Sequence, residues 1–416
     1  MQPATTAPPT SHGRRAGITE TLLRRSVGLP AVVAVAAVIA ANVALRERGW
    51  VHEWFWAFFN YHFVPIFLGP LAAGLGAWEG ARLARFRDLL QASGGTRRAL
   101  VAAGAAVFGW ILLTYLVGLA VISAMVTAAG TPGTPGMIEL GTMVPALTFA
   151  AMWVAMGTGS GYRFGSPLVA PLATLASFAV ILFLYVVDYD LVRVGGATAS
   201  LLGLAPRPGL QAGQTVLYLA TAAWAVLWAG RARGNGFVNQ LPARITGFLA
   251  AAVAFGLFVN QGPDFRRRSV MLRCFGDPPI CLAPGYDQRP EAVRVALAPY
   301  LEGLEKIGAP MPKRFHQGRP SDLVGYISEE FALGEVSDLN EGERAVLSAY
   351  GDFTCDTYNN RELDESRDGV HAWLASLGGD RDFLGFADVP EVLRTGSSEE
   401  QAAWLRNAIE RLRRCA

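Results

Sequence analysis

Three residues of types that could take part in catalysis lie close together near the first predicted membrane segment. His52, Glu53 and His62 carry imidazole and carboxylate groups, which bind metal ions and transfer protons. A membrane-embedded enzyme could use them as a metal or acid–base cluster. Aromatic residues surround them, however, and polar residues among interfacial aromatics more often anchor a chain at the membrane surface. We therefore expect an anchor here and keep the enzyme as the alternative.

The four cysteines lie in the C-terminal part of the chain, at Cys274, Cys281, Cys355 and Cys415. An even number confined to one region favours disulfides in an external domain. Cys274 and Cys281 flank the bend at Pro278 and Pro279, which predicts that they pair and leaves Cys355 to pair with Cys415. The alternative is four reduced thiols in a cytoplasmic tail. A zinc site is not expected, because no Cys-x-x-Cys spacing occurs.

The sequence lacks the common motifs for ATP binding and hydrolysis. Both lysines, Lys306 and Lys313, follow residues other than the glycine that a phosphate-binding loop requires. Neither His-Glu-x-x-His nor Gly-x-Ser-x-Gly occurs. Residues 157–161, Gly-Thr-Gly-Ser-Gly, follow an apolar segment rather than a strand, and we expect a flexible connection there. We therefore expect no cofactor and no ATPase activity in this chain.

Composition divides the chain into two parts. Hydrophobic residues make up 52% and charged residues only 17% of the whole, which is too apolar for an ordinary soluble protein. Residues 1–263 contain 17 Arg, no Lys and 8 acidic residues, whereas residues 264–416 contain 19 basic and 26 acidic residues. We predict a disordered N-terminus over residues 1–26, a transmembrane helical domain over 27–262 and a soluble α+β domain over 263–416.

Seven apolar runs predict an all-α polytopic membrane bundle, with six spans as the main alternative to seven. A span needs about 20 residues, so the second, third and fifth runs are the clearest, while the fourth, sixth and seventh are short. The first run could instead be a cleaved signal peptide. The runs cover residues 27–45, 58–83, 100–128, 143–156, 168–187, 216–230 and 245–259.

Arginines in the short loops predict a cytoplasmic N-terminus. With that orientation the inner segments hold 13 arginines and the outer short loops hold 4, and basic residues are retained on the cytoplasmic side. Arg266, Arg267, Arg268 and Arg273 run against the rule, although long translocated domains largely ignore it. We therefore predict a multi-pass protein of the cytoplasmic membrane with an extracytoplasmic C-terminal domain.

Within the C-terminal domain, periodicity predicts a strand over Val270–Phe275 and a helix over Glu291–Lys306. Ser397 and Glu400 have the spacing of a capping box at the start of a last helix. We expect the apolar face of that helix to pack on its own domain, with docking to a partner or a membrane as the alternative. That face consists of Trp404, Leu405, Ala408, Ile409 and Leu412.

Residues 79–98, after the second run, combine arginines with apolar residues at helical spacing, at Leu83, Phe86, Leu89 and Leu90. This pattern predicts a short interfacial helix, and a solvated positive loop is the alternative. Glu79, like Asp188 and Asp190, falls at the end of a span, where we expect water to reach its carboxylate.

Two segments carry a resemblance to a known family. Pro70–Gly74 followed by Ala77–Arg85 is similar to the second span and following loop of actinobacterial membrane proteins grouped with ATP-binding-cassette type-2 permeases. The stretch Cys274–Tyr286 resembles the paired-cysteine segment that heads their external domain, with Ala283 where relatives often have histidine. The resemblance extends loosely from the first span to about Pro310 and leaves the rest of the chain without a quotable motif.

The resemblance implies a permease subunit that moves a substrate across the cytoplasmic membrane and is powered by a separate ATPase. The chain would contact that ATPase through a coupling surface at Arg82, Arg85, Phe86, Arg87 and Leu89. The implied partners are the ATPase, the lipid bilayer and a second copy or second permease, and no nucleic acid is expected. A sensor or scaffold with an external recognition domain remains a separate hypothesis, as does the membrane-embedded enzyme.

Overall fold

The computed structural model describes residues 28–44, 48–61, 64–186, 201–230, 237–259, 265–267, 271–287, 289–317, 323–328, 332, 340–351, 360–379 and 389–415. The chain forms two compact units. One contains Met1–Ala128 and Thr134–Arg266, and the other contains Ala129–Gly133 and Arg267–Ala416. The predicted N-terminal segment 1–26 lies outside the described residues, as do Asp188 and Asp190.

Helices dominate the described part of the first unit. They are α1 (Gly28–Ala44), α2 (Trp54–Tyr61), α3 (Val64–Ala84), α4 (Arg87–Ala92), α5 (Thr96–Ala128), α6 (Met137–Gly141), α7 (Met143–Phe164), α8 (Val169–Val186), α9 (Pro208–Ala229) and α10 (Phe237–Val259), with a 3-10 helix at Arg48–His52. Two short strands, β1 (Leu204–Pro206) and β2 (Phe265–Arg267), pair with each other.

A helix occupies each of the seven apolar runs. Four stretches are long and apolar enough to cross a membrane: Trp54–Ala84, Thr96–Ala128, Glu139–Phe164 and Pro208–Ala229. The apolar stretches in α1, α8 and α10 are shorter. The fourth and sixth segments are thus longer than their runs suggested. The difference arises because α7 continues to Phe164 and α9 begins at Pro208, whose ring favours a first helical turn.

Residues 157–161 are not a flexible connection, and the sequence-based prediction for them was wrong. They lie inside α7, at its contact with α3. A Cβ atom on Gly157 would lie 2.0 Å from the carbonyl oxygen of Ala73, and one on Gly161 would lie 2.0 Å from that of Ala77. Glycine therefore lets the two backbones approach, as small residues do between membrane helices. Composition suggested a linker, but in a helix pair the same residues form the contact surface.

Helix α7 organises the first unit, because it packs against both α3 and α9. Helix α8 also packs on α3, while α1 packs on α5 and α10 packs on α9. Helix α7 is followed by its C-cap residue Gly165, which has a φ of 69° and donates its N–H to the carbonyl of Gly161. Glycine suits this left-handed position because it has no Cβ.

The second unit combines a small mixed sheet with helices. Its sheet has the order β3 (Arg273–Phe275), β4 (Ile280–Leu282), β5 (Arg314–His316) and β6 (Val324–Tyr326), with β3 antiparallel and the other pairs parallel. Its longer helices are α11 (Pro290–Ile307), α12 (Asn340–Ser348), α13 (Arg361–Leu377) and α15 (Ser398–Cys415), and α14 (Glu391–Thr395) is short. The core between them is apolar, with Leu282, Tyr286, Leu297, Leu304 and Phe315 fully buried.

Two sequence-based predictions for this unit are confirmed. A helix runs over Pro290–Ile307, and the last helix begins beside a capping box, in which Ser397 N–H donates to the Glu400 carboxylate at 2.8 Å. Helix α15 packs against α13 with Leu405, Ala408, Ile409 and Leu412 buried. The predicted strand is shorter than expected, since it covers Arg273–Phe275, and Val270 lies outside the described residues.

Candidate functional sites

The segment predicted as one interfacial helix is divided in the structure: Leu83 lies in the last turn of α3, Phe86 in the turn before α4, and Leu89 and Leu90 in α4. Leu83 and Leu90 pack against a buried cluster of Leu100, Tyr162 and Ala229. Phe86 is 60% exposed and Leu89 is 70% exposed. Leu83 and Leu90 thus attach this segment to the ends of α5, α7 and α9, whereas Phe86 and Leu89 face away from the protein.

The three arginines of the predicted coupling surface are not equivalent. Arg85 is exposed. Arg82 forms an ion pair with Glu79 at 2.9 Å. Arg87 donates hydrogen bonds to the main-chain carbonyls of Tyr162 and Arg163, the latter at 3.0 Å, and its guanidinium lies 5.2 Å from the Tyr162 ring centroid. Arg87 therefore holds α4 to the C-terminal end of α7, where unpaired carbonyls attract cations.

The burial of Glu79 differs from the sequence-based prediction. We predicted a carboxylate open to water, but Glu79 is only 8% exposed, near the end of α3. A buried carboxylate needs a partner, because burial removes its hydration. Arg82 supplies one from the next helical turn, three residues away.

These residues belong to one end of the first unit, which we call the arginine face: residues 79–100, 162–165 and 226–230. Side-chain contacts hold the three segments of the arginine face together. Arg163 lies 5.9 Å from the ring centroid of Trp228. A Cβ on Gly230 would lie 2.7 Å from Cγ of Arg97, so the Arg97 stem crosses the end of α9.

A second group of contacts forms the aromatic face: residues 50–61, 137–141, 201–206 and 265. Phe265 packs edge-on against Phe59, with ring centroids 5.1 Å apart, and against Phe55 at 6.3 Å. Helix α6 packs against α2. The Glu53 carboxylate accepts a hydrogen bond from the main-chain N–H of Leu201 at 3.3 Å. The loops before α3, after α5 and before α9 therefore meet here, together with β2.

The predicted metal or acid–base cluster is not assembled by the described residues. Glu53 is buried and engaged by Leu201, and His52 ends the 3-10 helix. His62 lies outside the described residues. No group of three or more His, Cys, Asp or Glu suited to a metal ion occurs among the residues that the structure describes.

The Cys274–Cys281 disulfide is present and confirms the predicted pairing. The two cysteines lie directly opposite each other on β3 and β4. The bond therefore closes the hairpin that begins the C-terminal sheet. The second predicted disulfide, Cys355–Cys415, involves Cys355 and the side chain of Cys415, which lie outside the described residues.

A cleft in the C-terminal unit was missed by sequence reasoning. It has a volume of about 530 Å³ and is lined by Tyr326, Ser328, Glu341, Arg344, Ala345, Leu347, Arg367, Asp368 and His371. Its charges are paired in part: Arg344 contacts Glu341 at 2.9 Å, and Arg367 contacts Asp368 at 3.0 Å. Ser328 donates to the Glu341 carboxylate at 2.8 Å. A volume of this size and charges of both signs suit a small polar ligand.

Beneath the cleft lies a buried acid. Glu343 is 1% exposed and forms an ion pair with Nε2 of His371, which reaches the cleft. Burial, followed by the nearby Glu343 charge, raises the pKa of Tyr300 to about 12. The sequence contains one signal for the position of Glu343. Its spacing from Val346, Leu347 and Tyr350 is that of residues on one face of a helix.

No family model matches the chain, and no curated protein or solved structure matches it.

Proposed function

We propose that the chain is the permease subunit of an ATP-binding-cassette transporter, in which a separate ATPase docks on α4 and powers movement of a substrate across the cytoplasmic membrane. The observation that carries this proposal is the exposed pair Phe86, at the N-cap of α4, and Leu89, within α4, beside the exposed Arg85. Large apolar side chains that project from a firmly attached helix are typical of anchors at protein–protein contacts.

The attachment of α4 supports a role in coupling. Arg87 bonds α4 to the end of α7, and α7 meets α3 through Gly157 and Gly161 with no space between their backbones. A shift of α4 would therefore move α7 and α3 rather than be absorbed by soft side-chain contacts. A permease driven by a partner's ATP hydrolysis needs such a rigid connection.

Seven spans are the topology that we propose. The Glu53–Leu201 hydrogen bond joins residues separated by α3, α5, α7 and α8. The β1–β2 pair joins residues separated by α9 and α10. On the arginine face, Arg87 contacts the end of α7, and α5 and α7 lie between the two partners in the sequence. In each contact, an even number of these helices lies between the two partners in the sequence. If α3, α5, α7, α8, α9 and α10 all cross the bilayer, both partners of each contact are therefore on the same side of the membrane.

The orientation follows from charge. Residues 79–98 contain five arginines and two acids, and arginine-rich loops stay in the cytoplasm. We therefore assign the arginine face to the cytoplasm, where ATP is available to a partner ATPase. The aromatic face and the C-terminal unit that follows β2 are then extracytoplasmic, a compartment in which the Cys274–Cys281 disulfide can persist.

The decisive experiment compares ATPase recruitment by single variants. Phe86→Asp and Leu89→Asp should each weaken association about thirtyfold, since a buried apolar anchor contributes about 2 kcal/mol. Arg85→Ala should have a small effect, because an exposed ion pair is worth about 0 to 1 kcal/mol. Met137→Asp is the matched control, since Met137 is 84% exposed on the aromatic face.

The measurement is co-purification of an ATPase with the full-length chain, together with ATP hydrolysis by the complex. Met137→Asp should behave like the parent protein, whereas the two α4 variants should insert normally and lose the ATPase. Undiminished recruitment by both α4 variants would remove the coupling role of α4. Failure of the parent chain to recruit any ATPase would remove the permease proposal.

The topology has its own test. Ser93 and Thr134 are both exposed, and lie after α4 and before α6 respectively. Ser93→Cys should be protected from a membrane-impermeant thiol reagent in intact cells, whereas Thr134→Cys should react. A reporter fused to the C-terminus should be active outside. A cytoplasmic reporter signal would contradict seven spans.

A second candidate function is recognition of a small solute by the C-terminal unit, as in a sensor or scaffold. The cleft favours it, because Arg344 and Arg367 could bind a carboxylate while Glu341 and Asp368 could bind an ammonium group. We would titrate trialanine, a small zwitterion, against the full-length protein. Binding should be lost with N-acetyl-trialanine amide and weakened by Arg344→Ala. No binding of trialanine would remove this candidate.

A further inference from the structure

An apolar groove runs between α5 and α7 from the arginine face toward the middle of the first unit. It has a volume of about 200 Å³, and its mainly apolar lining includes Val101, Gly104 and Ala105 on α5, Thr158 and Gly159 on α7, and Val226 on α9. Thr158, the polar residue of this lining, donates its hydroxyl to the Val154 carbonyl at 2.8 Å. The groove therefore presents hydrocarbon to whatever fills it.

Gly104 lines the groove without being in close backbone contact with α7. A Cβ on Gly104 would lie 3.7 Å from both Thr158 and Val154, an ordinary van der Waals distance. At Gly157, on the contact with α3, a Cβ would instead overlap a carbonyl oxygen. A methyl group therefore fits at Gly104, and a longer side chain would extend into the space of about 200 Å³ that the groove offers to a flexible apolar chain.

Arginines stand at the end of the groove on both of its long walls. On α5, Arg97 precedes Val101 by four residues and Gly104 by seven, which puts it on the groove-lining stripe of the helix. Its stem packs at Gly230, four residues beyond Val226. On α7, Arg163 follows Gly159 by four residues and lies against Trp228. Arg97, Arg98 and Arg163 are all exposed.

An apolar groove that ends in exposed guanidinium groups is complementary to a molecule with a hydrocarbon chain and an anionic head. Arginine binds phosphate oxygens with paired hydrogen bonds, and basic pockets between membrane helices bind acidic lipid heads. We propose that this groove is a binding site for an anionic phospholipid, with part of one acyl chain between α5 and α7 and the phosphate at Arg97, Arg98 and Arg163. The site requires insertion in a bilayer but no partner ATPase, so it is independent of the permease proposal.

The probes are dioleoylphosphatidylglycerol, which is anionic, and dioleoylphosphatidylcholine, which is zwitterionic and has the same chains. Native mass spectrometry of the full-length protein would measure how much of each lipid stays bound. We expect the anionic lipid to be retained and the zwitterionic lipid to be lost. Each arginine near a surface contributes about fivefold in affinity, so the double variant R97Q/R98Q should bind the anionic lipid about thirtyfold more weakly.

Gly104→Leu tests the groove itself, because the new side chain would occupy the open volume. Gly109→Leu is the matched control: it makes the same substitution on the same helix, at a site where a Cβ would meet no atom within 4 Å. We expect Gly104→Leu to abolish retention and Gly109→Leu to leave it unchanged. Arg85→Gln controls for loss of charge on the arginine face away from the groove.

Three outcomes would overturn the proposal: equal retention of the two lipids, retention of the anionic lipid by Gly104→Leu, or an equal loss in R97Q/R98Q and Arg85→Gln. Size-exclusion profiles and thermal stability of each variant would show whether it is folded. If Gly104→Leu is unfolded, Ala105→Leu, which fills the same groove, takes its place.

Discussion

Helices α3 and α7 meet through backbone atoms, whereas the C-terminal unit is held by large side chains around a small sheet. Between the helices, a Cβ on Gly76, Gly80, Gly157 or Gly161 would lie within 2.5 Å of a carbonyl oxygen on the other helix. In the C-terminal unit, Tyr286, Tyr300, Phe315 and Tyr350 are among the largest fully buried side chains.

The difference matches the two solvents that we propose. Lipid tails are as apolar as leucine, so burial of leucine between helices gains little, and close contact of small residues takes its place. In water, burial of apolar surface is the main favourable term. The C-terminal unit adds a disulfide, which small domains outside the cytoplasm commonly use, and a helix start capped by Asn360.

The largest effect is expected where the helix contact is broken. Gly157→Ala would place a methyl group 2.0 Å from the Ala73 carbonyl oxygen, so α3 and α7 must separate. We expect a loss of about 3 kcal/mol or more, the upper part of the range for overpacking. The measurement is the temperature at which detergent-solubilised protein aggregates, followed by size exclusion.

The control for this prediction is Gly109→Ala on α5. A Cβ there meets no atom within 4 Å, and alanine is the better helix former. We expect no loss of stability. Equal tolerance of both substitutions would show that α3 and α7 do not depend on glycine contact.

Removing the disulfide should have the next largest effect, and it should be confined to the C-terminal unit. Replacing Cys274 and Cys281 by Ser frees a loop with a sequence separation of 7, which corresponds to about 2.5 kcal/mol in the chain-entropy model. Hydrogen exchange should increase in residues 271–287 and remain unchanged in α3 and α7. Recovery of Cys274 as a free thiol from unreduced protein would contradict the pairing.

The capping box at the start of α15 should contribute less. The Ser397 hydroxyl lies 2.8 Å from the Glu400 carboxylate, and it accepts the N–H of Glu400 at 3.4 Å. Ser397→Ala should cost about 1 kcal/mol, as is usual for a helix N-cap. Hydrogen exchange in the first turn of α15 would report it, with Ser398→Ala as the neighbouring control. Equal protection in both variants would argue against the cap.

A pH dependence of the C-terminal unit should be the smallest effect. Burial, followed by the charge of Arg314, lowers the pKa of His316 below its ordinary value of 6.5. The unfolded chain therefore binds a proton at a higher pH than the folded chain does, so stability falls as the pH drops below about 6.5. Hydrogen exchange of residues 314–316 should accelerate between pH 7.5 and 5.5, after correction for the intrinsic exchange rate.

His316→Gln should remove that part of the acceleration, because glutamine does not titrate. Glu400 does not interfere in this range. Hydrogen bonds from Ser397 lower its pKa below 4.5, so its contribution to stability is lost only as the pH falls below about 4.5. An unchanged profile in His316→Gln would contradict the role of His316.

Local patterns in the sequence were enough to predict several elements. The seven apolar runs, the amphipathic helix after Ser397 and the short helix containing Leu89 and Leu90 each depend on residues within a few turns of one another. The Cys274–Cys281 bond is also local, because only a tight hairpin separates the two cysteines. Features of this kind are specified by spacing alone.

Features that depend on distant partners were missed. Residues 157–161 have the composition of a linker, and only the position of Ala73 and Ala77 on α3 makes them a contact surface. Arg87 was assigned to the coupling surface, but its carbonyl partners lie 75 and 76 residues away. The Glu343–His371 pair likewise joins two helices that the sequence does not relate.

The bond between Arg87 and the end of α7 also sets how the sequence can vary through evolution. Its acceptors are main-chain carbonyls of Tyr162 and Arg163, which every amino acid provides. Mutation at either acceptor position therefore leaves the hydrogen bonds possible. Replacing Arg87 by a residue without a side-chain donor removes both hydrogen bonds, and lysine, which can donate, lacks the planar guanidinium that lies over the Tyr162 ring. Selection for an attached α4 would therefore act on position 87 far more strongly than on the positions it binds.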